Sequence, residues 1–415
     1  MKAMGIIPAG FAAIDGELQI AGKGVSAHIA AAGDTPLFVY DLARVRAQVA
    51  AFRAHMPDGV SLHYAMKANP WPALLTHMVA LVDGIDVASA GELASAVAAG
   101  ATHVSFAGPG KRDRELRAAV SAGVTLNLES EGEAERAIAI AADAGVRPRL
   151  AVRVNPDFDL RGSGMKMGGG AKPFGVDADR AAALVRRIVA AGADYRGLHI
   201  FAGSQALDAD AIADAQASAI ALSARVSRDS DTAPPLVNLG GGFGIAYFPN
   251  EVPLDIAAVG RRLADALAAR DAVLADTRFA IELGRWLVGE AGVYLTRIID
   301  RKESHGETFL VTDGGLHHQL AASGNFGTVV RRNYPLAIAT RFGAPATETA
   351  SIVGCLCTPL DRLGDRVAVP HADVGDVVAI FMAGAYGATA SPAAFLGHPP
   401  PIERLVDGDA RICPE

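Results

Sequence analysis

Between residues 61 and 285 short β-rich runs alternate with Ala-rich amphipathic segments, and this alternation restricts the fold more than any other feature of the chain. The β-like runs are Ser61–Lys67, Gly84–Ser89, His103–Gly108, Thr125–Ser130, Arg149–Asn155, Tyr195–Gly203, Leu236–Gly242 and Phe279–Arg285. Helix-forming stretches such as Gly91–Ala99, Arg112–Ala122, Glu131–Ala144 and Ala178–Ala191 lie between them. Strands joined through helices pair in parallel, because a parallel neighbour needs a crossover connection. Eight of them over roughly 225 residues predict a (β/α)8 barrel, slightly under the usual ~250. An open doubly wound sheet would alternate in the same way.

After Arg285 the texture changes. Val288–Ile299, Thr308–Thr312, Thr349–Val353 and Val377–Met382 read as strands separated by turns, without obvious helices. They predict a separate, largely antiparallel β domain. Phe11–Ile20 and Leu37–Asp41 also read as extended and are expected to join it. The expected division is N-terminal strands at 1–40, the barrel at 41–286 and the β domain at 287–415.

Composition narrows the function classes. Hydrophobic residues make up 51% and charged ones 20%, enough apolar material for a large core. A net charge of −7 without a basic stripe argues against nucleic-acid binding. No run of 18 apolar residues survives interruption by charge, Gly or Pro, so no membrane span is expected. The apolar patch Ile6–Ala13 is too short for a signal peptide, and three cysteines suit a reduced, cytoplasmic protein.

In a barrel of this kind reactive groups gather at the C-terminal ends of the strands. Lys67 ends the first strand, where partial desolvation would lower its pKa and free the amine as a nucleophile; a surface lysine is the plainer reading. Gly240-Gly241-Gly242 with Gly244 ends the seventh, and could cradle a phosphate or simply turn. Glu282 is an acid inside the apolar eighth strand, needing a cation or a donor: a protonated pyridine nitrogen, Arg285 or another basic side chain, a structural ion pair being the plainer reading. His199 in the sixth could stack on a flat ring, and Ser204 could reach a phosphate, although a core histidine is the default. Cys355-x-Cys357 lacks a second pair or suitably spaced histidines, and His317-His318 reads as a turn, so no metal site is expected. An amine, a glycine cradle, a carboxylate and a stackable imidazole at one barrel mouth are the parts needed to hold pyridoxal phosphate.

Tyr64-Ala65-Met66-Lys67-Ala68-Asn69, Asp86–Glu92, Arg153-Val154-Asn155-Pro156, Lys172-Pro173-Phe174-Gly175, His199…Gly203-Ser204-Gln205, Gly240–Gly244, Glu282…Gly284-Arg285, Cys357 and Ala385-Tyr386-Gly387 occur in this order. The collinear set, from about Thr35 to Tyr386, resembles the fold type III pyridoxal-phosphate enzymes, an alanine-racemase-like barrel class, and within it the diaminopimelate/ornithine decarboxylase branch. The resemblance implies pyridoxal 5'-phosphate as cofactor, joined to Lys67 as a Schiff base. It implies that His199 stacks on the ring, that Ser204, Gly241, Gly242 and Tyr386 hold the phosphate, and that Glu282 pairs with the pyridine nitrogen. Asp86, Arg153 and Gly284 would also line the cofactor site. Arg285 would hold a substrate carboxylate or help anchor the cofactor. Cys357 would be the proton donor, coming from the partner subunit of a homodimer whose active sites are shared. A carboxylate opposite the pyridine nitrogen keeps the ring a strong electron sink, whereas racemases of this class put arginine there. Glu282 therefore favours decarboxylation.

Departures from the pattern bear on the substrate. Diaminopimelate decarboxylases read Cys-Glu-Ser around the catalytic cysteine, the glutamate gripping the distal ammonium; here the segment is Cys357-Thr358-Pro359. The His199–Gln205 element is lengthened, the loop 161–171 is rich in Gly and Met, and Pro173 is inserted before Phe174-Gly175. These features are similar to the exosortase-associated and glutamyl-carrier-protein decarboxylases. Arg331, Arg332 and Tyr334 fall where relatives contact the far end of the substrate, and two arginines suit a carboxylate, phosphate or phosphopantetheine. The expected activity is decarboxylation of an α-amino acid or aminoacyl group, with carrier-linked glutamyl preferred. Alternatives are a diaminopimelate decarboxylase, a racemase, a non-catalytic cofactor-binding protein and a metal-dependent barrel hydrolase.

Overall fold

The computed structural model describes residues 2–323 and 332–408. The chain forms two compact units, one of residues 49–244 and 253–284, the other of residues 1–48, 245–252 and 285–415.

The first unit is a closed barrel of eight parallel strands. They are Val60–Ala65, Gly84–Val87, Val104–Phe106, Thr125–Leu128, Arg149–Asn155, Asp194–Ile200, Leu236–Gly241 and Arg278–Leu283. Each is bonded in parallel to the next, and the eighth closes on the first in the register Glu282 with His63 and Leu283 with Tyr64. An open sheet is thereby ruled out. The observed strands match the β-rich runs of the sequence, trimmed where the last residues turn into loops.

Two of the crossover helices begin with serine caps that fix the barrel mouth. Ser89 accepts a hydrogen bond from the Glu92 amide, while Glu92 accepts one from the Ala88 amide. Ser130 and Glu133 repeat the arrangement, Glu133 accepting from the Glu129 amide. These Ser-x-x-Glu boxes satisfy amides that have no partner in the first helical turn. Part of the Asp86–Glu92 motif is thus helix-capping chemistry.

The second unit is built on an eight-stranded sheet around the long strand Gly292–Ser304, which pairs antiparallel with Leu37–Asp41, Val377–Ile380 and Glu307–Thr312. Two pairings are parallel: Glu307–Thr312 with Glu348–Val353, and Ile402–Val406 with Leu37–Asp41. The sheet is therefore mixed. The segment Phe11–Ile20 forms a separate antiparallel meander of Ala12–Ile14, Glu17–Ile20 and Lys23–Gly24. It joins this unit by packing, Leu18 and Ile20 being buried with Leu37, Val39, Val293 and Phe381.

Candidate active site

The barrel unit concentrates its unusual side chains at the C-terminal strand ends. Lys67 sits in a single helical turn, Met66–Ala68, directly after the first strand. That turn is held on both sides: the Asn69 amide donates to the Met66 carbonyl (3.1 Å), and the Tyr64 hydroxyl donates to the Asn69 carbonyl (2.9 Å). The end of the eighth strand packs against it, for a Cβ on Gly284 would stand 2.9 Å from that of Ala68. Lys67 itself is exposed, its Nζ lying 5.4 Å from the centre of the Phe201 ring. The desolvation expected from the sequence is thus not supplied by this chain's own side chains.

Glu282 and His199 meet in the interior, 7% and 4% exposed. His199 Nε2 donates to Glu282 Oε2 at 3.1 Å. Burial alone would push the Glu282 carboxyl up; the His199 hydrogen bond and the charges of Lys67, His199 and Arg153 outweigh it and hold the pKa down at about 2. The other ring nitrogen, His199 Nδ1, is buried without a hydrogen-bond partner.

Glycine backbone follows the seventh strand. Gly240 and Gly242 adopt left-handed conformations, with φ of 69° and 82°. A Cβ on Gly241 would stand 1.8 Å from the Glu282 carbonyl oxygen. The Ala206 amide donates to the Gly242 carbonyl (2.9 Å) and the Gly244 amide to the Ala206 carbonyl (2.8 Å), so this loop and the one carrying Ser204 are tied together. Ser204 also pairs with Met165 in a two-residue ladder that pins the Gly- and Met-rich loop. Ser204, Gly241 and Gly242 therefore lie on adjoining loops, as a phosphate cradle requires.

Arg153 and Asp86 are both engaged by the protein. The Arg153 guanidinium bonds Glu129 (2.8 Å) and lies 5.1 Å from the centre of the Phe174 ring. Glu129 also accepts from the Gly108 and Gly175 amides, and the charges of Arg153 and Lys111 lower its pKa against burial. Asp86 contacts His63 Nδ1 (3.3 Å) and accepts from Asn238 (3.4 Å). The sequence reading missed Glu129, His63 and the buried pair Lys111–Glu133 (2.6 Å). Their signal was available: each is a charged or ionisable residue within or directly beside an apolar strand or a capping box.

The second unit carries its own cluster. Arg285 donates to the Tyr247 hydroxyl at 2.7 Å and lies 4.6 Å from the centre of the Tyr386 ring, while its Nε is buried without a partner. Although burial opposes its charge, the surrounding tyrosines, Tyr247 first, raise its pKa. Tyr334 lies 4.8 Å from Tyr247, ring to ring. Arg332 is exposed, 4.9 Å from the Phe248 ring and 3.9 Å from Glu251. Arg331 lies outside the described residues. Cys357 is exposed on the loop Gly354–Asp361, which the Gly354 amide closes onto the Asp361 carbonyl (3.1 Å). The Thr358 hydroxyl accepts from the Leu360 amide (3.3 Å). Local spacing in the sequence gives no metal site, whereas the fold brings one ligand atom each of His317, Cys355 and His398, from three separate segments, within 4.8 Å of one another.

Comparisons with known proteins show the family and the fold. Residues 42–289 match the model of the pyridoxal-dependent decarboxylase family, pyridoxal binding domain. An L-glutamyl-[BtrI acyl-carrier protein] decarboxylase of Niallia circulans is 37% identical, over 90% of this chain and 89% of the relative. A diaminopimelate decarboxylase of Aquifex aeolicus is 30% identical, over 90% of this chain and 87% of the relative. Among solved structures, a protein of Aquifex aeolicus superposes with a TM-score of 0.81 at 27% identity, covering 96% of this chain and 92% of its own. The diaminopimelate decarboxylase of m. jannaschi superposes with a TM-score of 0.85, covering 95% of this chain and 92% of its own, at 23% identity, a likeness of fold.

Proposed function

The chain belongs to the pyridoxal-dependent decarboxylases, a carboxy-lyase that works with pyridoxal phosphate, and from that membership we propose that its substrate is an aminoacyl group, glutamyl on a carrier protein. One observation carries the chemistry: a carboxylate, Glu282, buried in the barrel and held ionised at about 2, with the Lys67 amine acting on it electrostatically. When bound, the cofactor supplies an electron sink for the pair left as CO2 departs. The residues present fit that group. The Lys67 amine is accessible to bind its aldehyde, and the His199 ring offers a face with one nitrogen unsatisfied. Glu282 offers a fixed negative charge for a protonated ring nitrogen, which an arginine of a racemase would not. Ser204, Gly241 and Gly242 would hold the phosphate through a hydroxyl and unobstructed amides.

Cys357 is the proposed proton donor to the α-carbon. Its exposed thiol is accessible to another chain, which supports the reading of a homodimer with shared active sites. Arg285 and Tyr386 are proposed to hold anionic groups of substrate or cofactor, and Asp86, Arg153 and Gly284 to keep the lysine turn and barrel mouth in shape. No helix of the described residues is long and apolar enough to cross a membrane, and both described cysteines are free thiols, which agrees with a cytoplasmic location.

The substrate reading rests on Thr358, which removes the acidic grip on a distal ammonium, and on the kinship with a glutamyl-carrier-protein enzyme. It is tested by CO2 release from diaminopimelate, ornithine, lysine, arginine, glutamate and carrier-linked glutamate. Carrier-linked glutamate should be turned over fastest, and Thr358→Glu should raise the relative rate on diaminopimelate. Preference of the unmodified enzyme for diaminopimelate would overturn the substrate while leaving the reaction class. Absence of a borohydride-fixed cofactor on Lys67 would overturn the catalytic assignment.

A further inference from the structure

His317 is completely buried, and neither of its ring nitrogens has a hydrogen-bond partner. An imidazole is seldom left in that condition, because a buried polar atom without a partner forfeits the water it gave up. The side chains it faces are also metal ligands. The half-buried Cys355 has its Sγ 3.9 Å from Nδ1 and 4.0 Å from Nε2 of His398. The His317 and His398 rings are 5.2 Å apart between centres, and one ligand atom of each of the three residues lies within 4.8 Å of the others.

The surroundings hold this cluster in place. Asp361, itself buried, accepts from the Leu316 amide (2.7 Å) and the Leu356 amide (2.9 Å), stapling the segment that carries His317 to the one that carries Cys355. Both segments need glycine there, since a Cβ on Gly315 or Gly354 would stand 2.3 or 2.2 Å from the Asp361 carboxylate. His318 accepts from the Tyr294 hydroxyl through Nδ1 (3.1 Å), and its Nε2 donates to the Pro399 carbonyl (2.9 Å), fixing the segment of His398. Supporting bonds of this sort are what orient the ligands of a metal centre.

We propose that His317, Cys355 and His398 form a three-ligand site for a zinc-class divalent ion. Two imidazoles and one thiolate suit zinc, whose tetrahedral sites with three protein ligands leave a fourth position for water. The observed separations need only a small contraction to reach it. Binding exchanges the Cys355 thiol proton, released to solvent, for a sulfur–metal bond, and both histidines bind as neutral rings. The ion would tie the loop Gly354–Asp361, which presents Cys357, to the segment before Pro399. The assignment is independent of the cofactor and substrate readings.

The test uses the full-length holoenzyme. After chelation and re-equilibration with zinc sulfate, elemental analysis of the desalted protein should find about one zinc per chain. Cobalt in its place should give the long-wavelength visible bands of a tetrahedral ion, clear of the cofactor's absorbance. Cys355→Ser and His317→Gln should lose the retained zinc and the rise in Tm that zinc gives the parent, whereas Cys357→Ser should keep both. Zinc that washes out of the parent would overturn the site. So would unaltered zinc and cobalt spectra in Cys355→Ser, or their loss in Cys357→Ser. If the Cys355 and His317 variants fail to fold, the parent's zinc content and cobalt spectrum decide.

Discussion

Glu282 keeps its charge where burial would ordinarily remove it, because His199, Lys67 and Arg153 act on it together. Its folded pKa lies below the ordinary 4.5, so the stability its charge contributes is present above that value and is lost as pH falls towards about 2. Between about pH 5 and 8 the group does not titrate, and an acid limb of kcat/KM in that window should persist in Glu282→Gln. The same variant should keep the cofactor while kcat falls by about 10²- to 10³-fold, the scale on which one aligned electrostatic partner is worth. Stopped-flow CO2 assays across pH check both; a lost acid limb would reassign it to this carboxylate. Lys67, His199 and Glu282 were legible in the sequence because each stands at or near the C-terminal end of a β-rich run, where a barrel gathers its reactive groups. The exposure of Lys67 was not, since whether a lysine at a strand end is covered depends on what occupies the mouth. The approach of His317, Cys355 and His398 was not legible for a related reason: contacts that join distant segments leave no local spacing.

At the level of elements, strands and crossover helices followed from periodicity, and closure of the first strand onto the eighth was one of the two readings their alternation allowed, an open sheet being the other. What periodicity could not supply was the interior polar chain. His63 and Asp86 sit on neighbouring strands, and Asn238 reaches Asp86 from the seventh. Burial opposes a charge on His63, but Asp86 first, then Glu282 and Asp83, raise its pKa above the ordinary 6.5. A raised pKa adds stability that is complete below 6.5 and is lost as pH rises through the folded value. Urea unfolding of the parent should therefore show stability falling as pH rises above 6.5, and His63→Gln should flatten that decline. An equal decline in the variant would remove His63 as its source. The glycine loop makes a second prediction at this scale. Gly241→Ala places a methyl against the Glu282 carbonyl, so the eighth strand or the loop must shift. The expected cost is about 1–3 kcal/mol of stability, with weakened cofactor affinity measured by fluorescence titration.

At the scale of the whole molecule, the proposed proton donor and the buried carboxylate differ in exposure. Within one subunit, Glu282 is almost fully buried while Cys357 is open to solvent. A proton donor that must work in a water-poor site would be covered only once another surface is laid over it. Proton transfer from a positioned thiol is worth about 10²- to 10⁴-fold, so Cys357→Ala alone should nearly abolish turnover, as should Lys67→Ala. Mixing the two inactive proteins under conditions that exchange subunits separates the possibilities. If each site takes its lysine from one chain and its cysteine from the other, half the dimers are hybrids, and one site of each hybrid is intact. Activity should return to about a quarter of the parent's, as random pairing of twofold-symmetric subunits requires. If lysine and cysteine of one site come from the same chain, both sites of every hybrid are defective and the mixture stays inactive.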